Sequence, residues 1–346
     1  MFTPIPGRPV RTVVVGYGMA GRGFHCYLVK LAPGLKLHGV VSRSAETRAR
    51  IVAEQGCKVY AEFAEALGDP EVDLIVLATP NSTHAEMAVQ ALNAGKHVVT
   101  DKVACTSLAD CDRMIEASRR NRLFLSVFQN RRWDGDYLTV RKLMADGKLG
   151  ELRWVEMAWQ TFGAWGGWRG RVDMGGGKFL DLGAHLVDQL CLLFPQAIET
   201  VYCRMHHDLA VTDTESEAFV VVTFAGGGTG VVDCSSLAAI GKPRFYVRGT
   251  QGTYQKFGLD PQERAMFAGN IDGAAEDAAT FGRLHDGKAE ATVPTVPGRW
   301  RSYYENVAAV LHGEAEPLVR MTEVRRAIAV LDAGFRSARS GEVVRP

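Results

Sequence analysis

The sequence predicts an α/β chain: first a doubly wound parallel sheet, then a second α/β domain on an open, largely antiparallel sheet. Three observations predict it. Short β-branched runs alternate with helical patterns over the first third. Asp73–Ala78 reads DLIVLA, continuously apolar like a strand buried on both faces of a parallel sheet. Beyond residue 150, strand-like runs follow one another without helices between them, as antiparallel strands do. A chain of 346 residues also exceeds one ordinary core. The character changes near Phe128–Trp133, which divides the chain into domains of residues 1–128 and 129–346.

Arg11–Val15 reads as a strand, followed by a glycine turn and a helix over Gly21–Leu31. Leu35–Val41 is the second strand and Ala45–Glu54 a helix. After Asp73–Ala78 a helix begins near Thr83, where Thr83 and Glu86 have capping-box spacing. Lys96–Thr100, Ser107–Arg119 and Leu123–Phe128 continue the βαβ order, which implies right-handed crossovers. Glu151–Gln160 alternates like a strand, with Val155, Met157 and Trp159 on one side. A glycine-rich loop, Gln160–Leu180, holds Trp165 and Trp168. The antiparallel strands are Glu199–Met205, Glu217–Phe224, Thr229–Ser235 and Arg244–Gly249. Helices over Ser302–His312 and Thr322–Ala338 close the chain.

Composition excludes several classes. Hydrophobic residues make up 47% and charged ones 23%, the balance of a globular protein. Forty basic residues face 39 acidic ones, so charge offers no reason to expect nucleic acid or an anionic membrane. No run approaches the roughly 20 apolar residues of a membrane helix, and Met1–Arg11 lacks the apolar core of a signal peptide. Seven cysteines, an odd number without a Cys-x-x-Cys pair, read as reduced thiols in the cytoplasm.

Gly16-Tyr17-Gly18-Met19-Ala20-Gly21 is G-x-G-x-x-G, set after a strand and opening a helix. In that context Gly16 permits the turn, Gly18 lets backbone approach a pyrophosphate, and Gly21 allows close helix–sheet packing. The helix N-terminus faces the phosphates. A nicotinamide dinucleotide on a Rossmann-type domain is the expectation. The second strand ends in Val41-Ser42-Arg43-Ser44, with no carboxylate before Glu46 to take the ribose hydroxyls. Arg43 and Ser42 suit a 2′-phosphate, so NADP is preferred and NAD is the alternative. Thr79, Pro80 and Asn81 end the next principal strand, where the cofactor's nicotinamide side belongs. His84 is near, as a contact or as an ordinary helix-face histidine.

Asp101-Lys102-Val103 follows His97–Thr100, placing Lys102 either at the chemistry or on the surface. Asp181, His185 and Asp188 form one polar stripe on an otherwise apolar helix that Pro195 ends. The stripe is an acid–base pair with His185 as proton shuttle, or a capping Asp181 with an interior histidine. No metal is expected, since only His206-His207 offers further ligands. Asn130, Arg131, Arg132 and Trp133, with Trp168 and Arg169, combine aromatic area with guanidinium donors. They suit a polyhydroxylated or anionic ligand, or an interdomain salt-bridge network.

These segments resemble the glucose–fructose oxidoreductase / inositol dehydrogenase (Gfo/Idh/MocA) family over nearly the whole chain. The resemblance rests on GYGMAG, LATPNSTHAEMAVQALNAGKHVVTDK and GGGKFLDLGAHLVDQ. SVFQNRRWDGDYLTVRKL, the Trp168-Arg169 segment and PRFYVRGTQGTYQKFGLDPQE point to a bacterial branch with NADP-linked scyllo-inositol dehydrogenases. It implies catalysis by Lys102, Asp181 and His185, with Asp101, Trp168 and Arg169 on the cofactor and Asn130, Arg132 and Trp133 on the substrate. It also implies NADP-dependent interconversion of a secondary alcohol and a ketone on a cyclic polyol or sugar, in a homodimer or homotetramer. A keto-sugar or dicarbonyl reductase, or a non-catalytic sensor, is the alternative. Two departures stand out: Asp-Lys-Val where the family has Glu-Lys-Pro, and Gln129 where relatives often have histidine.

Overall fold

The computed structural model describes residues 2–5 and 7–346. The chain divides into two compact units, Met1–Gln129 with Arg301–Arg325, and Asn130–Trp300 with Arg326–Pro346. The first unit is thus closed by a segment from near the C-terminus, which a reading of one boundary near residue 128 does not foresee.

The first unit holds six parallel strands: β1 (Val10–Val15), β2 (Leu35–Val41), β3 (Lys58–Tyr60), β4 (Leu74–Leu77), β5 (His97–Thr100) and β6 (Leu125–Val127). Their order is β3-β2-β1-β4-β5-β6, so the direction of winding reverses between β1 and β4 and opens a crevice at their carboxyl ends. All of Leu74–Leu77 is buried, as its apolar run requires. Ser44 and Ser107 cap the helices Ala45–Gln55 and Leu108–Asn121, each accepting a backbone N–H at helix position three.

Two local expectations are corrected. The helix after the glycine turn is π-helical over Ala20–Cys26 and α-helical only over Tyr27–Leu31. Thr83 makes no capping box, because Asn81–Thr83 first forms a 3-10 turn. Its hydroxyl donates to Pro80 O at 2.8 Å and meets the Thr79 hydroxyl at 2.7 Å. The capping box lies instead at Glu62 and Glu65, before the helix Phe63–Gly68.

The returning helix Arg301–Leu311 is fastened at several points. Tyr303 donates to the Ser126 hydroxyl at 3.1 Å, Arg301 donates to Leu31 O at 3.1 Å, and Ile5 N donates to Leu311 O at 2.8 Å. The Phe128 ring packs edge-on against Tyr303 at 5.1 Å.

The second unit is built on β7 (Leu152–Gln160), β8 (Ile198–His206), β9 (Glu217–Phe224), β10 (Gly228–Ser235), β11 (Phe245–Gly249), β12 (Thr253–Lys256), β13 (Gly282–His285) and β14 (Glu290–Val293). The order is β14-β13-β12-β11-β7-β10-β9-β8, with β7 and β10 its parallel neighbours and the rest antiparallel. In β9, Ala218, Val220, Val222 and Phe224 point inward while Phe219 remains 36% exposed. Phe194 stacks on Phe224 at 4.7 Å and Phe179 meets Phe335 at 5.4 Å. The hairpin β13–β14 is mostly exposed and poor in apolar residues, so periodicity could not announce it. Among the described residues no helix is long and apolar enough to cross a membrane.

Candidate active site

In the first unit, Gly16 takes φ +98°, and a Cβ there would stand 2.5 Å from Ala78 O. A Cβ on Gly21 would collide with Gly16 O, whereas one on Gly18 would meet nothing within 4 Å. Two glycines therefore close the turn and the third faces open space, the cradle a pyrophosphate needs. Arg22 N donates to Gly18 O at 2.9 Å, starting the helical turn through Met19 and Ala20. Tyr17 faces inward, 5% exposed. Its hydroxyl donates to Glu54 at 2.7 Å and accepts from Gln55 at 2.6 Å. Burial and Glu54 push its pKa up to about 12.

At the end of β2, Ser42 N donates to Tyr60 O at 3.0 Å. Arg48 donates to the carbonyls of Ser42 and Arg43 at 3.0 and 2.7 Å, fixing the turn. Arg43 itself is exposed, and its guanidinium has no partner among the described residues. Arg48 escaped the sequence reading, although it stands five positions after Arg43 in the first turns of the following helix.

The loops after β4 and β5 are tied together. His84 is fully buried, its Nδ1 at 2.8 Å from Val103 O and its Nε2 at 2.9 Å from Thr79 O. It thus fastens the Thr79-Pro80-Asn81 turn to the Asp101-Lys102-Val103 turn rather than facing solvent. Asn81 is 2% exposed. Asp101 accepts from Lys102 N at 2.8 Å and lies 3.5 Å from His25 Nε2. Burial opposes ionisation of Asp101, but His25, Lys102 and His84 outweigh it and hold the carboxyl at about 2. His25 Nδ1 meets the Tyr304 hydroxyl at 2.7 Å. The Lys102 side chain is half-buried, and the Lys102–Val103 peptide is cis.

In the second unit, Asp181 lies within a π-helical turn, Phe179–Gly183, which leads into the helix Ala184–Leu193. It does not cap that helix; it accepts from Arg169 Nε at 3.0 Å. Arg169 also lies over the Trp168 ring at 4.6 Å. Asp181 and His185 are 6% and 5% exposed, and His185 stacks against Trp159 at 5.9 Å. The third residue of the stripe is otherwise engaged: Asp188 accepts from Arg132 Nε and Nη2 at 2.8 and 2.7 Å. Arg131 pairs with Asp134 at 3.2 Å and Glu263 at 2.6 Å, and lies 4.3 Å over Trp159. The ion pairs of Asn130–Asp134 therefore sit inside the second unit, not between domains as one reading had it. Asn130 is buried, and the Trp133 carbonyl accepts from Arg299 N at 3.0 Å.

His206 and His207 are exposed. Among the described residues one histidine–carboxylate group, His38 with Asp69 and Glu71, brings ligand atoms within 4.8 Å of one another. Asp69 is already held by Lys58 at 2.5 Å and Tyr60 at 2.8 Å.

Comparison with known proteins agrees with both halves of this picture. Residues 10–129 match the model of an oxidoreductase family with an NAD-binding Rossmann fold, and residues 137–255 match the GFO/IDH/MocA C-terminal domain. The uncharacterized oxidoreductase YdgJ of Escherichia coli is 32% identical, over 95% of this chain and 96% of its own. The scyllo-inositol 2-dehydrogenase (NADP(+)) IolW of Bacillus subtilis is 26% identical, over 99% of each. The crystal structure of an NAD-binding protein from Listeria innocua superposes with TM-score 0.86 at 29% identity, covering 97% of both chains.

Proposed function

The chain belongs to the Gfo/Idh/MocA family of oxidoreductases with an NAD-binding Rossmann domain, and on that premise we propose that it interconverts a secondary alcohol and a ketone on a cyclic polyol or sugar, with NADP as its preferred cofactor. One observation carries this reading: two titratable side chains four residues apart, Asp181 in the π-helical turn and His185 at the start of the mostly apolar helix it leads into, are both buried. A buried polar stripe of that kind needs a reason, and proton transfer supplies one.

The glycine turn, Thr79, Pro80 and Asn81 would hold the dinucleotide, and the open space at Gly18 fits its pyrophosphate. Trp168 is assigned to the same ligand, as is Arg169 through its place beside Trp168, with its terminal guanidinium nitrogens left toward the substrate. When bound, the nicotinamide supplies the acceptor or donor of hydride. In oxidation His185 accepts the hydroxyl proton, and Asp181, anchored by Arg169, orients it. Lys102 hydrogen-bonds the developing alkoxide, and the accepting Asp101 carboxylate fixes its backbone. In reduction the proton runs the other way. Asn130, Arg132 and Trp133 are assigned to the substrate end of the second unit, Arg132 through Asp188. NADP is favoured over NAD by the exposed, unengaged Arg43 guanidinium at the end of β2.

The open side of the second sheet, carrying the half-exposed Phe219, suits pairing of copies into a homodimer or homotetramer. Six of the seven cysteines are buried, consistent with thiols kept in the cytoplasm. The deciding experiment is turnover on a panel of inositols and aldoses with NADP and NAD. Lys102→Ala and His185→Ala are each expected to lower kcat by about 100-fold or more. Near-wild-type turnover in both would remove the assignment.

A further inference from the structure

Lys178 stands at the end of the glycine-rich loop, one residue before the π-helical turn that carries Asp181. It is 2% exposed. Its ammonium donates to the Thr161 hydroxyl at 2.8 Å and lies 3.4 Å from the centre of the Trp165 ring. Among the described residues no carboxylate is within ion-pair distance of it. A buried ammonium carries three donor protons, and one hydrogen bond with one ring face leaves this cation under-compensated.

The surroundings form a small recess, partly open to solvent, lined by Trp165, Arg169, Lys178, Thr214, Glu215 and Ser236. It is far too small for a whole ligand and has room only for a single small substituent. Arg169 reaches Asp181 through Nε alone, so its terminal nitrogens hold no hydrogen bond among the described residues. The Glu215 carboxyl accepts from Phe179 N at 2.7 Å and is itself 6% exposed. Burial pushes its pKa up, against the pull of the Phe179 N–H and of Lys178. The recess thus contains an ammonium with one hydrogen bond and no carboxylate among the described residues within ion-pair distance, the terminal guanidinium nitrogens of Arg169, and hydroxyls.

We propose that this recess is a subsite for a single carboxylate on the substrate, with Lys178 as its counterion. The proposal rests on the dehydrogenase reading above and narrows its substrate class to acidic sugars or polyols. A carboxylate carries the single charge that one ammonium pairs with; a phosphate dianion exceeds it. Because Arg169 lines the recess and also holds Asp181, a substrate gripped there has its acidic end one guanidinium away from the proposed proton-transfer pair.

The test uses the holoenzyme with NADPH bound. Calorimetry compares D-glucuronate and D-galacturonate with D-glucose and D-galactose, and with D-glucose 6-phosphate, in wild type and Lys178→Met. The uronates are expected to bind wild type about tenfold or more tighter than the neutral sugars. Lys178→Met is expected to abolish that ratio. Equal binding of acid and neutral sugar, a ratio unchanged in the variant, or preference for the phosphate overturns the subsite. The two proposals fail separately. Uronate binding without turnover of any panel member retains the subsite and removes the dehydrogenase, whereas turnover without acid preference does the reverse.

Discussion

Without ligand, the charge on Lys178 is a burden on folding, and replacing it by methionine of similar shape removes that burden. Burial lowers its pKa, and Asp181, Cys234 and Glu215 only partly restore it, leaving about 8 in place of 10.5. Such a fall corresponds to about 3 kcal/mol of destabilisation whenever the group is protonated in both states. Methionine also forfeits the Thr161 hydrogen bond and the Trp165 contact, about 1 kcal/mol each. The net expectation at pH 7 is a variant more stable by about 1 kcal/mol, roughly 2–4 °C in Tm for a unit of this size. The sign of the pH dependence follows from a base whose folded pKa is depressed. The penalty is complete below about pH 8 and fades as pH rises toward 10.5. Between pH 7 and 9.5 the variant's advantage should therefore shrink by about 2 kcal/mol. Thermal unfolding of both proteins at the two pH values, without ligand, measures this. A variant less stable than wild type by 1 kcal/mol at pH 7, or a difference that ignores pH, refutes the reasoning.

Other perturbations have sharper single outcomes. Arg43→Ala should raise KM for NADP by about tenfold or more while altering KM for NAD little; equal effects on both would end the case for a 2′-phosphate site. Asp188→Ala leaves the buried Arg132 without its bidentate partner and should destabilise by about 3–5 kcal/mol in urea unfolding; a loss under 1 kcal/mol contradicts that. Tyr304→Phe removes the hydroxyl that meets His25 and should lower stability by about 1 kcal/mol, an effect absent if the bond does not form in solution.

The legible parts of this molecule are those whose signal is local. Gly16 and Gly21 are required by backbone approach, and Leu74–Leu77 by burial on both faces, so motif and hydropathy found them. Asp181 and His185 were legible as a stripe, but the π-helical turn was not, because the 3.6-residue period assumes its absence. Partner choice was opaque. Asp188 lies 56 residues from Arg132, and Glu263 lies 132 from Arg131; nothing in the local pattern links them. Lys178 reads as an ordinary polar residue before a helix, and only its burial makes it unusual.

The helix Arg301–Leu311 also fixes an order of events during synthesis. Domains generally fold as the chain emerges, the N-terminal one first, at about 5–20 residues per second. Here Phe128 and His25 must wait for Tyr303 and Tyr304, which follow only after the intervening Asn130–Trp300. At those rates the delay is on the order of 9–34 s. For that interval the nascent dinucleotide unit lacks the helix whose Tyr303 packs on Phe128.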